Sequence, residues 1–181
     1  MTNGDGHGRR GQGGTLVYPG AARTLLHAKR RKHMIAVVRI TDLEPDPLNE
    51  LRAQSSHEGF RFVERLCEEW ATGANRVNAP GEALFVAVAN GQVVGICGLN
   101  RDPYACEPSI GRVRRLYVAP AQRRHGVGRA LLEAVVTHAR RHFSLLRVRS
   151  EAVSEFYTTQ GFRRVASDEE VTHVLGFSNA A

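Results

Sequence analysis

The chain has 181 residues, of which 42% are hydrophobic, and a formal net charge of +7 at neutral pH. This length and composition are typical of one globular domain with a sizeable core, and no apolar stretch approaches the roughly 20 residues that a membrane-spanning helix needs. The first residues also lack the continuous apolar segment of a secretory signal, so we expect a cytoplasmic protein.

The positive charge is concentrated at the N-terminus, in residues 1–33. This segment contains seven basic residues and one acidic residue, whereas the rest of the chain contains 18 basic and 17 acidic residues. It is rich in Gly and Arg and has no sustained periodicity, so we expect a flexible extension. The extension is either a basic arm for phosphate backbones or acidic surfaces, or it precedes the true start at Met34, the only other methionine. We favour the second interpretation and do not expect nucleic acid as a partner.

The first half of the folded part predicts one strand, two helices and a hairpin. The β-rich run "MIAVVRI" starts at Met34, and a helical segment follows around Leu48–Gln54. In "FRFVERLCEEW" the apolar residues recur at helical spacing, and Gly73 ends this pattern. Two apolar runs then flank Asn90-Gly91, a dipeptide that favours a type I′ turn because both residues tolerate positive φ. We therefore expect an antiparallel hairpin there.

A further strand is expected in "GRVRRLYVA". Strict alternation of side chains along a strand divides its residues between two faces. One face then carries Val113, Arg115 and Tyr117, and the other carries Arg112, Arg114, Leu116 and Val118.

The remaining elements complete a mixed α/β pattern. We expect an amphipathic helix from Val127 to His138, a strand in "SLLRVRS", and a short helix in "SEFYTTQ" that Gly161 closes. The segments "FRRVA" and "VTHVLGF" follow as two antiparallel strands. The presence of hairpins indicates a mixed rather than a purely parallel sheet.

The junction "LYVAPAQRRHGVGRALLEAVV" joins a strand to a helix with hardly any loop. A helix start has backbone N–H groups without intrahelical partners and a partial positive charge, and glycines let a diphosphate approach them closely. The segment is not a nucleotide P-loop, because G-x-x-x-x-G-K-[ST] is absent, and a dinucleotide-binding fingerprint would need a glycine in place of Leu131. We therefore expect a phosphate-bearing ligand at this turn.

Two motifs connect this turn with a known family. Arg123-x-x-Gly126-x-Gly128 and the later Phe156-Tyr157-x-x-x-Gly161-Phe162 occur in this order, each in its expected structural context. In both motifs the chain resembles the GCN5-related N-acetyltransferase (GNAT) superfamily, over roughly residues 34–177. The resemblance implies a mixed, mostly antiparallel sheet flanked by helices, with a splayed central strand pair that takes the cofactor. Residues 178–181 would be a short C-terminal tail.

The resemblance implies that acetyl-CoA is the co-substrate and that the backbone of the turn binds its pyrophosphate. The preceding strand would pair with the pantetheine arm. Ser150 occupies a position where relatives often have an asparagine that contacts CoA. The implied cofactor-binding residues are Leu116, Tyr117, Val118, Arg123, Arg124, His125, Gly126, Val127, Gly128, Arg129 and Ser150.

The implied reaction is direct transfer of the acetyl group to a primary amine of a small molecule or peptide. Tyr157 matches the tyrosine that acts as general acid in the family, and a phenol of pKa about 10 can protonate a leaving thiolate. Many relatives have a glutamate as base in the strand before the turn, but the matching residue here is Arg112. The base is therefore open, with Glu58, Glu82, Asp102 or a water chain as candidates.

The acceptor site of such a fold is formed by the first two helices, the end of the hairpin and the loop before the central strand. Arg112 and Arg114 could attract a carboxylate or phosphate of the acceptor. The other candidates are His57, Glu58, Arg61, Asn75, Arg76, Asn100, Arg101 and Tyr104.

Three further points concern catalysis, metal binding and assembly. The chain could be a non-catalytic acyl-CoA-binding domain that acts as a sensor or partner protein, an alternative that the absent strand glutamate favours and Tyr157 opposes. We expect no metal, since the three cysteines have no paired spacing and the His138/His142 pair lacks a third ligand. A homodimer could form through exposed terminal strands, because an uncovered sheet edge pairs readily.

Overall fold

Strands and helices follow the predicted order in the part of the chain that the computed structural model describes, residues 35–44, 46–166 and 170–177. The strands are β1 (Ala36–Ile40), β2 (Ala83–Ala89), β3 (Gln92–Arg101), β4 (Ile110–Val118), β5 (Leu145–Val148), β6 (Arg163–Arg164) and β7 (His173–Gly176). The helices are α1 (Asn49–His57), α2 (Phe62–Thr72), α3 (Val127–Ala139) and α4 (Ser154–Thr159). The predictions for residues 1–33, for a start at Met34 and for residues 178–181 lie outside the described residues.

Glycines end two of these elements as predicted. Gly73 closes α2 in the left-handed region, with φ of 76°. Asn90 and Gly91 join β2 to β3 with φ of 51° and 79°, as a type I′ turn requires. The hairpin prediction is therefore confirmed.

The sheet is mixed and mostly antiparallel, with the strand order β1-β2-β3-β4-β5-β7-β6. Only β4 and β5 are parallel, and their pairing ends at Arg112 and Arg147. Beyond that point the carbonyl of Val148 accepts the N–H of Thr172, on the β7 side. The sheet is thus open between residues 113–118 and the chain after Arg147, and we call this opening the β4–β5 gap. The predicted fold class is confirmed, whereas a homodimer through the edge strands β1 and β6 stays a prediction.

Each face of the sheet has its own hydrophobic core. On one face α3 and α4 cover a core that includes Val113, Leu131 and Tyr157. On the other face α1 and α2 cover a core that includes Trp70 and Tyr117. We call these the α3 core and the α1–α2 core. Two covered faces explain why β2 and β3 are almost continuously apolar.

A β-bulge in β4 shifts the alternation of its side chains. Gly98 of β3 pairs with Arg114, but Ile96 pairs with Tyr117, so β4 contains one extra residue between these two pairs. Arg115 lies in this bulge with φ of 58°. The prediction that Val113, Arg115 and Tyr117 share one face is therefore wrong, because Val113 belongs to the α3 core and Tyr117 to the α1–α2 core.

The bulge is stabilised from the side of the helix pair. The guanidinium of Arg115 is buried and forms an ion pair with Glu69 of α2. A non-glycine residue in the left-handed region costs about 1–3 kcal/mol, which such contacts must offset. The bulge thus ties the middle of β4 to α2.

Candidate active site

The turn between β4 and α3, residues 123–129, lies at the open end of the β4–β5 gap. Arg124 and Gly126 both have positive φ, 64° and 83°, and Gly126 is the residue at which α3 starts. No side chain caps the start of α3 by a hydrogen bond. The first N–H groups of the helix therefore remain available to an anion in front of it.

The space beside Gly126 at the start of α3 is open. A Cβ atom at Gly126 would meet no other atom within 4 Å, so it would point into open space at the helix start. A Cβ atom at Gly128 would instead make ordinary contacts of 3.7 Å with Phe156 and Val118. Gly126 therefore keeps the entrance free, while Gly128 packs against α4 and β4.

Positive side chains surround this turn, but one of them faces elsewhere. Arg124, His125 and Arg129 are exposed beside the helix start. The guanidinium of Arg123 donates instead to Glu58, with 2.8 Å between Arg123 Nη1 and Glu58 Oε1. Its charge is therefore shared with a carboxylate from the end of α1 and is not free for a second anion.

Arg123 and Glu58 form part of a tether between the turn and the α1–α2 loop. Arg123 Nε donates to the carbonyl of Val118 at 3.0 Å, and the guanidinium lies 5.5 Å from the centre of the Tyr117 ring. Tyr117 Oη donates to Glu58 Oε2 at 2.6 Å. The hydrogen bond from Arg123 lowers the pKa of Glu58, while burial and the bond to Glu58 raise the pKa of Tyr117 to about 12. Sequence reasoning missed this tether because its partners are far apart in the chain.

The exposed edge of β4 faces the gap. The N–H of Ala119 donates to Val94 of β3, so the polar groups of Val118 point to the opposite side, toward β5. Leu116 and Val118 are partly buried against the α3 core, whereas the Tyr117 ring is buried in the α1–α2 core. A ligand in the gap would meet backbone groups of β4 rather than the Tyr117 ring.

Tyr157 lies deep on the α3 side of the gap. It is 4% exposed, and its ring packs against Phe156, Phe162 and His173. Burial, and then the neighbouring Cys97, raise the pKa of Tyr157. Cys97 lies on β3 between the two residue pairs that flank the β4 bulge, so Tyr157 belongs to the surroundings of the bulge.

A polar network holds the end of β5 on β7. Ser150 donates its N–H to Thr172 Oγ1 at 2.9 Å, and Thr172 and Ser154 contact the two ring nitrogens of His173 at 2.8 and 2.9 Å. Burial lowers the pKa of His173. This network keeps β5 away from β4 beyond Arg147. Ser150 was predicted from the sequence as a cofactor contact, whereas Ser154, Thr172 and His173 were not.

A second concave region lies on the face of α1 and α2, and we call it the arginine pocket. It has a volume of about 480 Å³ and brings together residues from three separate segments, 73–82, 100–103 and Arg114. Its polar lining includes Asn75, Arg76, Glu82, Asn100, Arg101 and Arg114. Five of these residues are predicted acceptor contacts, and the sixth is a predicted base. His57, Arg61 and Tyr104 are not among its lining residues.

The predicted contact Arg112 has a different environment. Its side chain is buried and forms an ion pair with Asp102 at 3.5 Å, and it also donates to the carbonyl of Glu170 at 2.8 Å. The Tyr104 ring covers its guanidinium at 4.8 Å. Arg112 is therefore not among the residues that line the pocket with Arg114, and the prediction that the two arginines together attract an acidic group of the acceptor stays a prediction.

None of the three candidate bases presents a free carboxylate. Asp102 is 1% exposed and lies between Arg112 and Arg147, with 3.3 Å to the latter. Glu82 accepts the backbone N–H groups of Arg101 and Ala79 at 3.0 and 3.3 Å. Glu58 is held by Arg123 as described. All three carboxylates have structural partners.

Two further features of the described ranges bear on the class of protein. No helix there has the length and apolar character that crossing a membrane requires. No three metal-ligating side chains come together in that part of the chain, although the rings of His138 and His142 lie 4.8 Å apart. Cys67 and Cys97 are buried thiols, and Cys106 is an exposed one.

Comparisons with known proteins agree with this geometry. The family profile described as acetyltransferase (GNAT) domain matches residues 80–164. A solved structure from Exiguobacterium sp. 255-15, of a protein assigned to the acetyltransferases, is 34% identical over 80% of this chain and 94% of that one, with a TM-score of 0.70. The chain belongs to the GNAT family. As a GNAT protein it is an acetyltransferase, and acetyl-CoA is the acetyl donor of the family.

Two other relatives of this GNAT protein have more specific names. Aminoglycoside N(6′)-acetyltransferase type 1 from Klebsiella aerogenes is 29% identical over 114 residues, which cover 54% of this chain and 74% of the relative. The PaiA N-acetyltransferase from Thermoplasma acidophilum, solved in complex with coenzyme A, is 17% identical over 78% of this chain and 98% of that one, with a TM-score of 0.58. The second likeness concerns the fold alone.

Proposed function

We propose that this GNAT protein transfers the acetyl group of acetyl-CoA to a primary amine of a small molecule or peptide, by direct attack of the amine on the thioester. The observation that carries the proposal is the uncapped start of α3, with open space in front of Gly126, next to an opening in the sheet. The diphosphate of CoA binds the N–H groups of residues 124–129, and Arg124 and Arg129 add positive charge, with the exposed His125 beside them.

The pantetheine arm lies in the β4–β5 gap. The N–H of Val118 faces the gap and supports this position, because the amides of an extended chain can pair with it as a strand would, while the carbonyl of Val118 already accepts Arg123 Nε. Leu116 supplies an apolar contact, and Ser150 lies on the opposite side of the gap. The thioester then comes close to the bulge at Arg115.

Tyr157 is the general acid for the leaving thiolate. Its raised pKa keeps the phenol protonated at neutral pH. The thiolate forms in the same apolar surroundings, which disfavour its charge as well, so the pKa values of donor and acceptor rise together. Burial also raises the pKa of the nearby Cys97 thiol, which illustrates this effect. Because both pKa values rise, the free energy of proton transfer from Tyr157 to the thiolate changes little.

The proton of the attacking amine leaves to water rather than to a carboxylate. Asp102, Glu82 and Glu58 each have structural partners, and the pKa of Glu58 is lowered, which makes it a weak base. The reaction therefore depends on amine that is already neutral, and kcat/KM should rise with pH as the acceptor amine loses its proton. The second candidate, a non-catalytic acyl-CoA-binding domain, has less support because the relatives in these comparisons are acetyltransferases.

Calorimetry with CoA and a thiol-release assay with a panel of amines test the proposal. We expect CoA to bind, and Tyr157→Phe to lower kcat by about a hundredfold while the Kd for CoA stays unchanged. CoA binding without turnover of any amine would establish the non-catalytic alternative. If CoA does not bind, the proposed function fails altogether.

A further inference from the structure

The arginine pocket adjoins the end of the β4–β5 gap at which β4 and β5 are still paired. Pairing between β4 and β5 ends at Arg112, and Arg114, which lines the pocket, follows two residues later. Asn75 and Arg76 come directly after α2 and approach from the helix-pair side. A molecule in the pocket would therefore lie next to the proposed position of the thioester, on the face opposite α3.

The guanidinium groups of this pocket have no acidic partners. Within the described ranges Arg76, Arg101 and Arg114 form no ion pair, whereas arginines outside the pocket such as Arg52 and Arg115 do. The one carboxylate of the pocket lining, Glu82, is occupied by two backbone N–H groups. The pocket lining thus contains three guanidinium groups and one carboxylate, a net charge of +2 that favours an anion.

A buried oxygen in the same pocket lacks a hydrogen-bond donor. Asn100 is 4% exposed, and its Oδ1 has no partner. The backbone N–H of Val77 donates to Asn75 Oδ1 at 3.0 Å, which identifies that atom as an oxygen, so the Asn100 atom facing it at 3.4 Å is Nδ2. The remaining Asn100 oxygen is free, and a buried acceptor without a donor is costly unless a ligand supplies one.

We propose that the arginine pocket binds an acidic group of the acceptor, so that the substrates are amines that also bear a carboxylate or a phosphate. Arg76, Arg101 and Arg114 bind the acidic group, and Asn100, whose buried Oδ1 lacks a donor, lines the same pocket. This inference rests on the proposed function and specifies its substrate class. A polycationic amine would be repelled by the same three guanidinium groups.

Matched pairs of amines test the substrate class. Each pair consists of an amino acid, such as glutamate or phosphoserine, and the neutral analogue in which its acidic groups are primary amides or a free hydroxyl, and spermine serves as the polycation. Rates are compared per neutral amine, because a neighbouring carboxylate raises the pKa of the ammonium group. We expect kcat/KM to favour the acidic member by roughly tenfold or more, the size of a charged hydrogen bond. Whether glutamate or phosphoserine is preferred distinguishes a carboxylate site from a phosphate site.

Variants locate the preference in the pocket. Arg114→Gln should remove most of it by raising KM for the acidic amine alone, and Arg114→Lys should retain part of it. Arg163→Gln, at an exposed arginine of β6, is the matched control and should leave the preference unchanged. If Arg114→Gln affects acidic and neutral amines equally, the inference is wrong.

A binding measurement separates failure of the inference from failure of the proposed function. Calorimetric titration of the same amines into the CoA-bound protein does not require turnover. Binding of the acidic members that depends on Arg114 supports the inference even if no amine is acetylated. Equal binding of acidic and neutral members, or no binding of either, overturns it, and an intact acetylation of neutral amines would then leave the proposed function standing.

Discussion

The α3 turn and the arginine pocket are built in opposite ways. The turn is one continuous stretch, residues 123–129, in which backbone groups and one left-handed glycine create the anion site. The pocket is assembled from three separate segments, and its side chains carry the charge. A backbone site depends on local conformation, whereas a side-chain site depends on the tertiary structure that brings its residues together.

Asp102→Asn should have the largest effect and would test which side chains beside the pocket are structural. The carboxylate is buried between Arg112 and Arg147, so its loss removes the acidic partner that these two guanidinium groups share. We expect the free energy of unfolding to fall by about 3–5 kcal/mol in chemical denaturation. Glu155→Gln, at an exposed acid, should change it little. Unchanged stability with a collapse of kcat would instead identify Asp102 as the base and contradict the proposed proton path.

Gly126→Ala should weaken CoA binding at the turn and leave the arginine pocket unchanged. The new methyl group projects into the space in front of α3, and its residue is strained at φ of 83°. We expect the Kd for CoA to rise roughly ten- to hundredfold, as lost charge-assisted hydrogen bonds predict.

Gly91→Ala is the control for backbone strain in this experiment. Gly91 also has positive φ and open space at its Cβ position, but it lies in the β2–β3 hairpin. Both variants should lose about 1–2 kcal/mol of stability, and only Gly126→Ala should lose CoA affinity. Equal CoA affinity of the two variants would show that the turn is not part of the cofactor site.

The smallest expected effect is a pH dependence of stability that leaves the preference for acidic amines unchanged. Burial lowers the pKa of His173, whose ring packs against Tyr157, and it also lowers the pKa of His138 on α3. Below pH about 6.5 the unfolded chain binds protons at these positions more readily than the folded chain, so stability should decrease from pH 7 to pH 5. The preference for acidic amines rests on guanidinium groups, which do not titrate in this range.

Thermal unfolding of the wild type and of His173→Gln at the two pH values measures this effect. The fall in Tm should be smaller in the variant, because one of the two imidazoles with a lowered pKa is gone. A wild-type Tm that is constant or higher at pH 5 would contradict the assignment of these histidines as buried neutral groups.

The features that could be predicted from the sequence are those that depend on a few neighbouring residues. The Asn90-Gly91 hairpin, the end of α2 at Gly73 and the start of α3 follow from conformational preferences of a few neighbouring residues. The tether between Glu58 and Arg123 could not be predicted, because its partners are 65 residues apart and meet only in the fold. For the same reason Arg112 and Arg114, two positions apart, could not be assigned to different environments before the loops around them were known.

The bulge at Arg115 was hidden for another reason. The run Val113-Arg114-Arg115-Leu116 is compatible with regular alternation, and only the packing of Tyr117 between the helices indicates the extra residue. A periodicity of two assumes that every residue has a partner on the next strand, and a bulge breaks this assumption.

The extra residue in β4 also has a consequence for variation in chain length. Deleting Arg115 would restore regular pairing with β3 while Val113, Arg114 and Leu116–Val118 kept the faces that they now occupy. Both cores could then persist, but the ion pair that ties the middle of β4 to Glu69 of α2 would be lost. Loss of a single codon would thus change the strand that borders the β4–β5 gap without removing either core.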